Sequence, residues 1–322
     1  MAVSADTTAM THAITLHIAI AAKGDTSLES VLTALTDALL LHTPDVALHL
    51  HIAQDSHTAP QEYESIALEL IPLPVRTHPG FSMAFSHCPP GTSILRLWGA
   101  ALAQNCSQYV AVLDSCCPPS GHWLEHAIAG IRKGEPLFYG AVEPAWPLTD
   151  IRITGYLIEY AQFKFPIECD SEYPGNNIVF QARFLPPAQE LEQKGFFKTF
   201  MVWNIQQQHN ISPTFVDNME VLYAKGFNIP HYFKRRKSHG QCFGGCRHQQ
   251  DNQPPRWACI LFTPALFLVR TARIYNWIKH KPGFKKAFFR FLPLIIGSEL
   301  AWSYGEFVGY SVGAGNSCQQ LD

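Results

Sequence analysis

Residues 94–128, ILRLWGAALAQNCSQYVAVLDSCCPPSGHWLEHAI, contain the strongest structural signal in the chain. Apolar residues recur at helical spacing over 92–105, an uninterrupted apolar run follows at 109–113, and a second helical pattern covers 120–132. The apolar run ends on a single acid, Asp114. This order predicts a helix, a buried strand and another helix, which is typical of a parallel sheet flanked by helices.

The same alternation of strands and helices extends on both sides of this stretch. Strands are predicted at 13–22, 46–53, 65–71, 137–142 and 178–181, with a helix at 27–41 and a proline-punctuated loop after residue 71. Together these segments predict an α/β fold with a mostly parallel sheet. Ligands of such sheets bind at the carboxyl ends of the strands, where Asp55 and Asp114 stand.

Composition limits the classes of function. Of 322 residues, 47% are hydrophobic and only 16% are charged, against about 25% charged in an ordinary soluble domain. This sparsely charged surface favours contact with a membrane or a protein partner. The net charge of −2 gives no overall electrostatic basis for binding nucleic acid.

Two features suggest a cytoplasmic protein. The N-terminus lacks the basic start of a signal peptide, and nine cysteines are scattered through the chain, so we expect reduced thiols. The apolar stretches 257–269 and 288–312 are interrupted by proline or charges, which favours helices of the core or of a membrane interface over spanning helices. We therefore expect a domain over 1–245 and an apolar helical extension over 246–322.

In order and spacing, residues 13–245 resemble the family-2-type glycosyltransferases of the GT-A fold. Residues 94–128 match the family's helix, strand and Asp-x-Asp element, 174–185 (PGNNIVFQARFL) match its Gly-Asn segment, and 232–244 (YFKRRKSHGQCFG) match its basic, aromatic helix. The resemblance implies a nucleotide-diphospho-sugar transferase-like sheet with flanking helices, followed by an apolar C-terminal tail.

The resemblance also implies roles for individual residues. The donor nucleotide would lie at Asp55, Asp114, Ser115 and Cys116, with Asp114 as the ligand of Mg²⁺ or Mn²⁺, and the acceptor side would be Asn176, Asn177, Trp203 and Asn204. Arg235 and Arg236 would meet a diphosphate or a lipid headgroup. Hard oxygen ligands suit these cations, which neutralise a diphosphate leaving group.

The sequence departs from the family pattern at two chemically important positions. Cys116 replaces the second acid of the Asp-x-Asp element, and a soft thiolate is a poor ligand for Mg²⁺. Where the family places an acidic pair as catalytic base, this chain has Trp203 and Asn204. Asp217 and Glu220 are the nearest acids that could replace the base, and His209 is a further candidate.

The resulting hypothesis is a glycosyltransferase of polysaccharide biosynthesis. It would transfer a sugar from a nucleotide-sugar donor to a glycan or lipid-linked acceptor, as a cytoplasmic protein peripheral to the inner face of the membrane. Basic residues mixed with aromatics at 232–237 and 284–290 suit a lipid surface.

Two alternatives from other classes stay open. The missing acids favour a catalytically inactive scaffold or regulator of polysaccharide assembly. The segment 239–248 favours a metal- or redox-dependent protein that uses Cys242 and Cys246 with His239 and His248. The pair Cys116 and Cys117 is a second candidate for redox chemistry, although adjacent small buried residues also explain it.

Overall fold

A computed structural model describes residues 14–23, 28–41, 46–55, 60–167, 172–250 and 253–321. The N-terminal segment 1–13, for which no signal peptide is expected, lies outside the described residues. Strands are β1 Ile14–Ala22, β2 Val46–Asp55, β3 Phe81–Cys88, β4 Tyr109–Asp114, β5 Leu137–Tyr139, β6 Val142–Pro144, β7 Asn177–Gln181, β8 Thr214–Phe215 and β9 Val221–Tyr223. Helices are α1 Leu28–Leu41, α2 Pro60–Leu70, α3 Leu73–Arg76, α4 Ile94–Ala103, α5 Trp123–Arg132, α6 Ile153–Glu159, α7 Ala188–Lys194, α8 Lys198–His209, α9 Ile229–Arg247, α10 Arg256–Ile278 and α11 Phe284–Val312.

The main sheet has the strand order β3-β2-β1-β4-β7-β5-β8. The neighbours from β3 to β4 are parallel, whereas β7 runs antiparallel between β4 and β5. Because Ala21 pairs with Asp114 and Ala22 pairs with Gln54, the carboxyl ends of β1, β2 and β4 lie side by side. The predicted α/β fold with a mostly parallel sheet is confirmed, and the sheet brings its strand-end acids to one edge.

The central strands are buried because both faces of the sheet are covered. In β4, Val110, Ala111, Val112 and Leu113 are fully inaccessible to solvent. One face packs against α1 and α5, and the other packs against α4 and α8. A continuous apolar run is the expected sequence of a strand that is buried on both faces.

The strand predicted at 65–71 is wrong, because this segment ends helix α2. Ala67 and Ile71 are buried one turn apart, while Leu68 and Glu69 between them are exposed. This burial has the period of a helix. The third strand is instead β3, in the segment predicted as loop. It forms the edge of the sheet, and its Ser and His residues alternate with half-buried apolar ones.

A layer of long helices follows the sheet. Glycines let α9 and α11 approach until their backbones touch: a Cβ on Gly240 would lie 2.2 Å from the Trp302 carbonyl oxygen, and one on Gly305 would lie 2.0 Å from that of Lys237. This contact crosses the expected domain boundary at 245, which stays a prediction.

Helix α10 lies on the outside of this layer. It is the one helix among the described residues that is long and apolar enough to cross a membrane, as judged by length and composition. Only 11% of its most apolar window is buried within the protein. Its exposed face, together with that of α11, forms an apolar surface whose large exposed residues are Trp257, Leu261, Phe262, Leu268, Val269, Phe289, Leu300, Tyr304, Phe307 and Val312.

The expectation of reduced thiols throughout is wrong at one pair. Cys242 of α9 forms a disulfide with Cys318, 76 residues later in the chain. The last turn of the chain, Ser317–Gln320, lies against α9 and brings the two sulfurs together. The other six described cysteines are free thiols.

Candidate functional site

A cavity of about 310 Å³ opens beyond the end of β4. The sheet edge and α4 form one side, and α8, α9, α10 and α11 form the other. Its lining is Ile94, Leu95, Trp98, Asp114, Cys116, Ile158, Glu159, Tyr160, Gln162, Phe163, Glu172, Tyr173, Gly175, Phe197, Lys198, Thr199, Val202, Trp203, Tyr223, Lys225, Arg235, Arg236, His239, Phe243, Arg270, Trp302 and Leu321. Such a cleft at the carboxyl ends of parallel strands is the expected ligand site of this sheet.

Asp114 places one carboxylate at the cavity. Its Oδ1 accepts a hydrogen bond of 3.2 Å from the backbone N–H of Cys116, which shapes the turn after β4. Cys116 also lines the cavity but is almost fully buried, with its sulfur 3.8 Å from that of Cys117. Ser115 is buried and does not line the cavity. Of the three residues predicted here, Asp114 is therefore the only hard ligand available.

Asp55 is held in a structural role. Its two carboxylate oxygens accept the backbone N–H of Gly91 at 3.2 and 3.0 Å, and the side chain is almost inaccessible. It does not line the main cavity. Gly91 lines a second cavity of about 300 Å³, so Asp55 supports the loop that borders that space.

The two asparagines predicted on the acceptor side lie inside the protein. Asn177 accepts from Trp123 Nε1 at 2.8 Å and donates to the carbonyls of Ala141 and Met219. Asn176 donates to Cys117 Sγ at 2.8 Å. Neither residue lines the cavity, and their amides join the sheet to the segments around it.

Trp203 lines the cavity, in contact with Phe200 and Phe243, but Asn204 is exposed on α8 and does not. The candidate bases Asp217 and Glu220 also lie outside the lining, and so does His209. Burial, followed by the charge of Glu143, raises the pKa of Glu220. The structure therefore does not bring these three candidate bases to the cavity.

Cationic side chains line the same cavity as Asp114. Arg235 and Arg236 are 9% and 3% exposed, so they do not lie on the outer surface of the protein, and their predicted contact with a diphosphate or a lipid headgroup stays a prediction. Arg235 forms an ion pair with Glu159. Arg236 donates to Glu299 at 2.9 Å, and Arg270 pairs with the other oxygen of Glu299. Lys198 and Lys225 complete this set of five cations, which we call the cationic wall.

One polar group of the cationic wall has no partner in the protein. The Nε–H of Arg236 is buried and makes no hydrogen bond within the described structure. A buried donor without a partner costs about 1–3 kcal/mol. Arg236 lines the cavity, but this nitrogen has almost no accessible surface, so the atom by itself does not indicate a ligand.

The local environment shifts the charge states of the lining. Burial lowers the pKa of Lys198 to about 8, so this lysine is still mostly protonated at neutral pH. Burial alone would raise the pKa of Glu159, but Arg235 and Arg236 outweigh it and lower the pKa. Burial, with Arg236, lowers the pKa of His239 to about 3 and keeps its ring neutral. The cavity therefore favours an anionic ligand.

Glu172 is the third acid of the lining and stands at its rim. Its carboxylate accepts from Gln162 Nε2 at 3.1 Å and pairs with Arg273 at 3.3 Å. The side chain is 38% exposed. Sequence patterns missed Glu172, Glu159, Lys198, Lys225 and Arg270. For Arg270 a signal existed, since a charge inside an apolar helix usually has a buried partner.

The sulfur atoms of Cys242, Cys246 and Cys318 form the only group of three metal-type ligands among the described residues. Neither His239 nor His248 belongs to it, so the predicted combination of cysteines with histidines is not formed. No group of this kind within the described part of the chain contains Asp114. A divalent cation at the cavity would have Asp114 as its protein ligand.

Comparison with known proteins supports the fold. No family model and no curated protein matches the sequence. A mannosyltransferase from Pyrobaculum calidifontis, solved in complex with GDP-Man and Mn²⁺, superposes with a TM-score of 0.52 at 14% identity, covering 92% of this chain and 87% of that one. TarS from S. aureus, residues 1–349, gives 0.42 at 10% identity, with 93% and 92% covered.

A third neighbour is glucosyl-3-phosphoglycerate synthase from Mycobacterium tuberculosis in complex with phosphoglyceric acid. Its TM-score is 0.41 at 11% identity, with 67% of this chain and 74% of that chain covered. The likenesses to this synthase and to TarS are too remote to support an argument. The likeness to the mannosyltransferase spans both the sheet and the helical layer. The chain therefore has the GT-A fold of the glycosyltransferases, as its sequence predicts.

Proposed function

We propose that the protein is a glycosyltransferase that binds a nucleotide-sugar donor in the cavity beside Asp114 and transfers the sugar to a glycan or lipid-linked acceptor. The observation that supports this most directly is the cationic wall, which lines the same cavity as a strand-end carboxylate of the GT-A fold. A diphosphate linked to a sugar and a nucleoside has the charge and the shape that such a cleft accommodates.

The cationic wall would bind the diphosphate of the donor. Five cations line the cavity against three carboxylates, of which Glu159 pairs with Arg235, while the buried Glu299 pairs with both Arg236 and Arg270 and leaves Lys198 and Lys225 outside these pairs. The guanidinium groups of Arg235 and Arg236 would donate to phosphate oxygens. Guanidinium groups are suited to phosphate because their donors are planar and permanently charged. As the sugar leaves the donor, these groups would stabilise the charge that develops on the diphosphate.

The cofactor, Mg²⁺ or Mn²⁺, is part of the proposal. Asp114 would be its protein ligand, with donor phosphates and water completing the shell, an arrangement that Mg²⁺ accepts. A cation bound there would supply additional charge neutralisation at the leaving group. The cationic wall is fixed by the protein itself and serves the same purpose without an added ion.

We assign Glu172 as the group that accepts the proton of the acceptor hydroxyl. Its side chain is 38% exposed, against 15% for Glu159, which is paired with Arg235. Gln162 donates to one oxygen of Glu172 and Arg273 to the other, and together they orient the carboxylate. Trp98, Trp203 and Trp302 line the cavity and would exclude water from it.

A membrane surface would present the lipid-linked acceptor. The exposed apolar face of α10 and α11 suits burial in the interface of a bilayer. Within 256–312 the only acids are Glu299 and Glu306, and both are buried. The exposed charges on this layer are therefore basic, which favours the anionic lipids of an inner leaflet.

Calorimetry with UDP and GDP, with and without Mn²⁺, tests the donor site. Wild-type protein should bind at least one of them, and Lys225→Met should weaken binding roughly ten- to a hundredfold, since a charged hydrogen bond is lost. Asp114→Ala should abolish any gain of affinity from Mn²⁺. Lys133→Met, at the exposed residue that caps the end of α5, is the matched control.

Failure of every nucleotide to bind would overturn the transferase proposal. It would favour the alternative of an inactive scaffold, which the loss of the second acid at Cys116 also supports. Sedimentation with vesicles tests the membrane separately: anionic vesicles should retain the protein, and Phe262→Glu should release it. Equal behaviour of the variant and the wild type would exclude α10 as the contact.

A further inference from the structure

The end of the described chain crosses the edge of the main cavity. We call residues 314–321 the C-terminal strap. The carbonyl of Leu321 accepts the backbone N–H of Ile94 at 3.0 Å and Lys23 Nζ at 2.9 Å. Leu321 is 2% exposed and lines the cavity. The strap is thus packed between the end of β1 and the start of α4.

The strap lies between two cavities. Leu321 lines the cavity that contains Asp114, and Gln319 lines the second cavity, beside Gly91. Asp55 holds Gly91, so the second cavity lies toward the end of β2. The start of α4 also stands between the two cavities, since Ile94 lines the first and Arg96 lines the second.

Besides the backbone that continues from α11 through Gly313, one covalent bond attaches the strap to the helical layer. Cys318 within the strap is joined to Cys242 of α9. The described hydrogen bonds of the strap to α9 are weak by comparison, such as Ser238 Oγ to Gln320 Oε1 at 3.2 Å. Cys246, one helical turn beyond Cys242, has its sulfur 3.7 Å from that of Cys318.

We propose that the Cys242–Cys318 disulfide is a redox latch: oxidised, it holds the C-terminal strap across the edge of the main cavity, and reduced, it lets the strap leave and uncovers that edge at Leu321. The effect on donor binding rests on the proposed function, whereas the movement of the strap does not.

A dithiol reductant would open the latch in two steps. Cys242 is fully buried and Cys318 is half-buried, so an external thiolate reaches the sulfur of Cys318. Attack there forms a mixed disulfide and releases Cys242 as a thiolate, which takes up a proton. The second thiol of the reductant then displaces Cys318, which is also protonated. Two electrons pass from the dithiol, which becomes a disulfide, to the protein disulfide.

Cys246 provides an internal exchange. Attack of its thiolate on Cys318 would form Cys246–Cys318 and release Cys242, with the Cys246 proton passing to Cys242. The net redox state is unchanged, and the strap stays attached one turn along α9. Cys242→Ser is therefore a poor test of the latch, because Cys246 can replace the lost partner. Cys318→Ser removes both pairings.

Hydrogen exchange measured by mass spectrometry tests the movement. Peptides that contain 314–321 and the amide of Ile94 should exchange at least tenfold faster in dithiothreitol-treated wild type, and in Cys318→Ser, than in oxidised wild type. Oxidised Cys246→Ser should match oxidised wild type. Equal protection of the oxidised and reduced wild type would overturn the latch, and so would stoichiometric zinc on three reduced sulfurs.

Calorimetry with UDP and GDP then tests the consequence. We expect at least tenfold tighter binding by the reduced protein, because Leu321 no longer covers the edge of the main cavity. Equal affinity in both states would overturn the gating of the site. Faster exchange of the strap without any nucleotide binding would support the latch while contradicting the proposed function, so the two failures are distinguishable.

Discussion

The two sides of the main cavity use polar residues in different ways. At the sheet edge, Asp55, Asn176 and Asn177 direct their side chains to backbone groups or to a buried sulfur and hold loops in place. In the helical layer, Arg235 and Arg236 are buried as ion pairs on the cavity wall. The comparison teaches that the strand-end positions keep the architecture of the fold, while most of the charge available to a ligand comes from the helices.

Burial of these charged side chains is energetically unfavourable, and most of them belong to the helical layer. Burial of a charge is tolerated only when it is paired and hydrogen-bonded. Glu299 is fully buried between Arg236 and Arg270, and Glu306 accepts from Trp302 and Tyr310. These acids stabilise the buried cations of the cationic wall, which have little contact with solvent. The following predictions test this difference between the two sides.

The largest effect is expected at the centre of the helical network. Glu299→Gln should lower the free energy of unfolding by about 3–5 kcal/mol, because two buried guanidinium groups lose their carboxylate. Denaturant unfolding followed by fluorescence measures it. Glu190→Gln, which breaks an exposed pair with Lys194, should change stability by less than about 0.5 kcal/mol. Similar values for both variants would contradict the structural importance of the network.

On the sheet side, the stability of the protein should depend on pH. Burial, and then the charge of His51, lower the pKa of His17 to about 4 from 6.5. The unfolded chain therefore binds the proton more readily, and stability falls as pH decreases from about 6.5 to about 4. The loss from His17 amounts to about 3 kcal/mol. A plot of the free energy of unfolding against pH should be flatter over this range for His17→Leu than for the wild type. An unchanged slope would assign the pH dependence to other groups.

Close packing of the helices gives the next effect. Gly305→Ala should lower the free energy of unfolding by about 1–3 kcal/mol, because its Cβ would meet the Lys237 carbonyl at 2.0 Å. The matched control is Gly121→Ala, where a Cβ meets nothing within 4 Å. Thermal unfolding of the two variants compares them directly. A neutral Gly305→Ala would mean that α9 and α11 can separate at little cost.

The smallest effect concerns the proton on Lys198. Its pKa of about 8 means that the ammonium is lost as pH rises from 7 to 9. Binding of a nucleoside diphosphate should weaken by about tenfold over this range, since one charged hydrogen bond is worth roughly 1.5–3 kcal/mol. In Lys198→Met this part of the pH dependence should vanish. Calorimetry at both pH values measures it, and a parallel decline in the variant would exclude Lys198 as the titrating group.

The sequence predicts the sheet better than the cavity. The sequence predicts β4 and its terminal Asp114 correctly, because a strand buried on both faces consists of a continuous apolar run. β3 is missed because an edge strand with alternating Ser and His residues resembles a loop. The end of α2 is mistaken for a strand because seven apolar-rich residues are too few to separate the two periods.

The features of the site that the sequence did not predict depend on contacts between residues far apart in the chain. Arg236 meets Glu299 63 residues later, and Cys242 meets Cys318 76 residues later. A local sequence pattern shows neither pairing. From the sequence alone, 232–237 is therefore interpreted as a basic surface and the cysteines are interpreted as free thiols. Only the packing of α9 on α11 turns the basic segment inward. The predicted involvement of Arg235 and Arg236 with phosphate gains support from their position, although their predicted exposure to lipid does not.

The contact between α9 and α11 also determines how little the site must change when it is used. At Gly240 and Gly305 the helices meet backbone to backbone, with no flexible side chain between them. Arg236 and Glu299 are therefore fixed relative to each other before any ligand arrives. An anion that binds in the cavity would lose its own translational and rotational freedom. Binding would cost little conformational entropy of the protein, because the binding groups are already ordered. The glycines thus make the cationic wall a preorganised environment, whose dipoles need no reorganisation during a reaction.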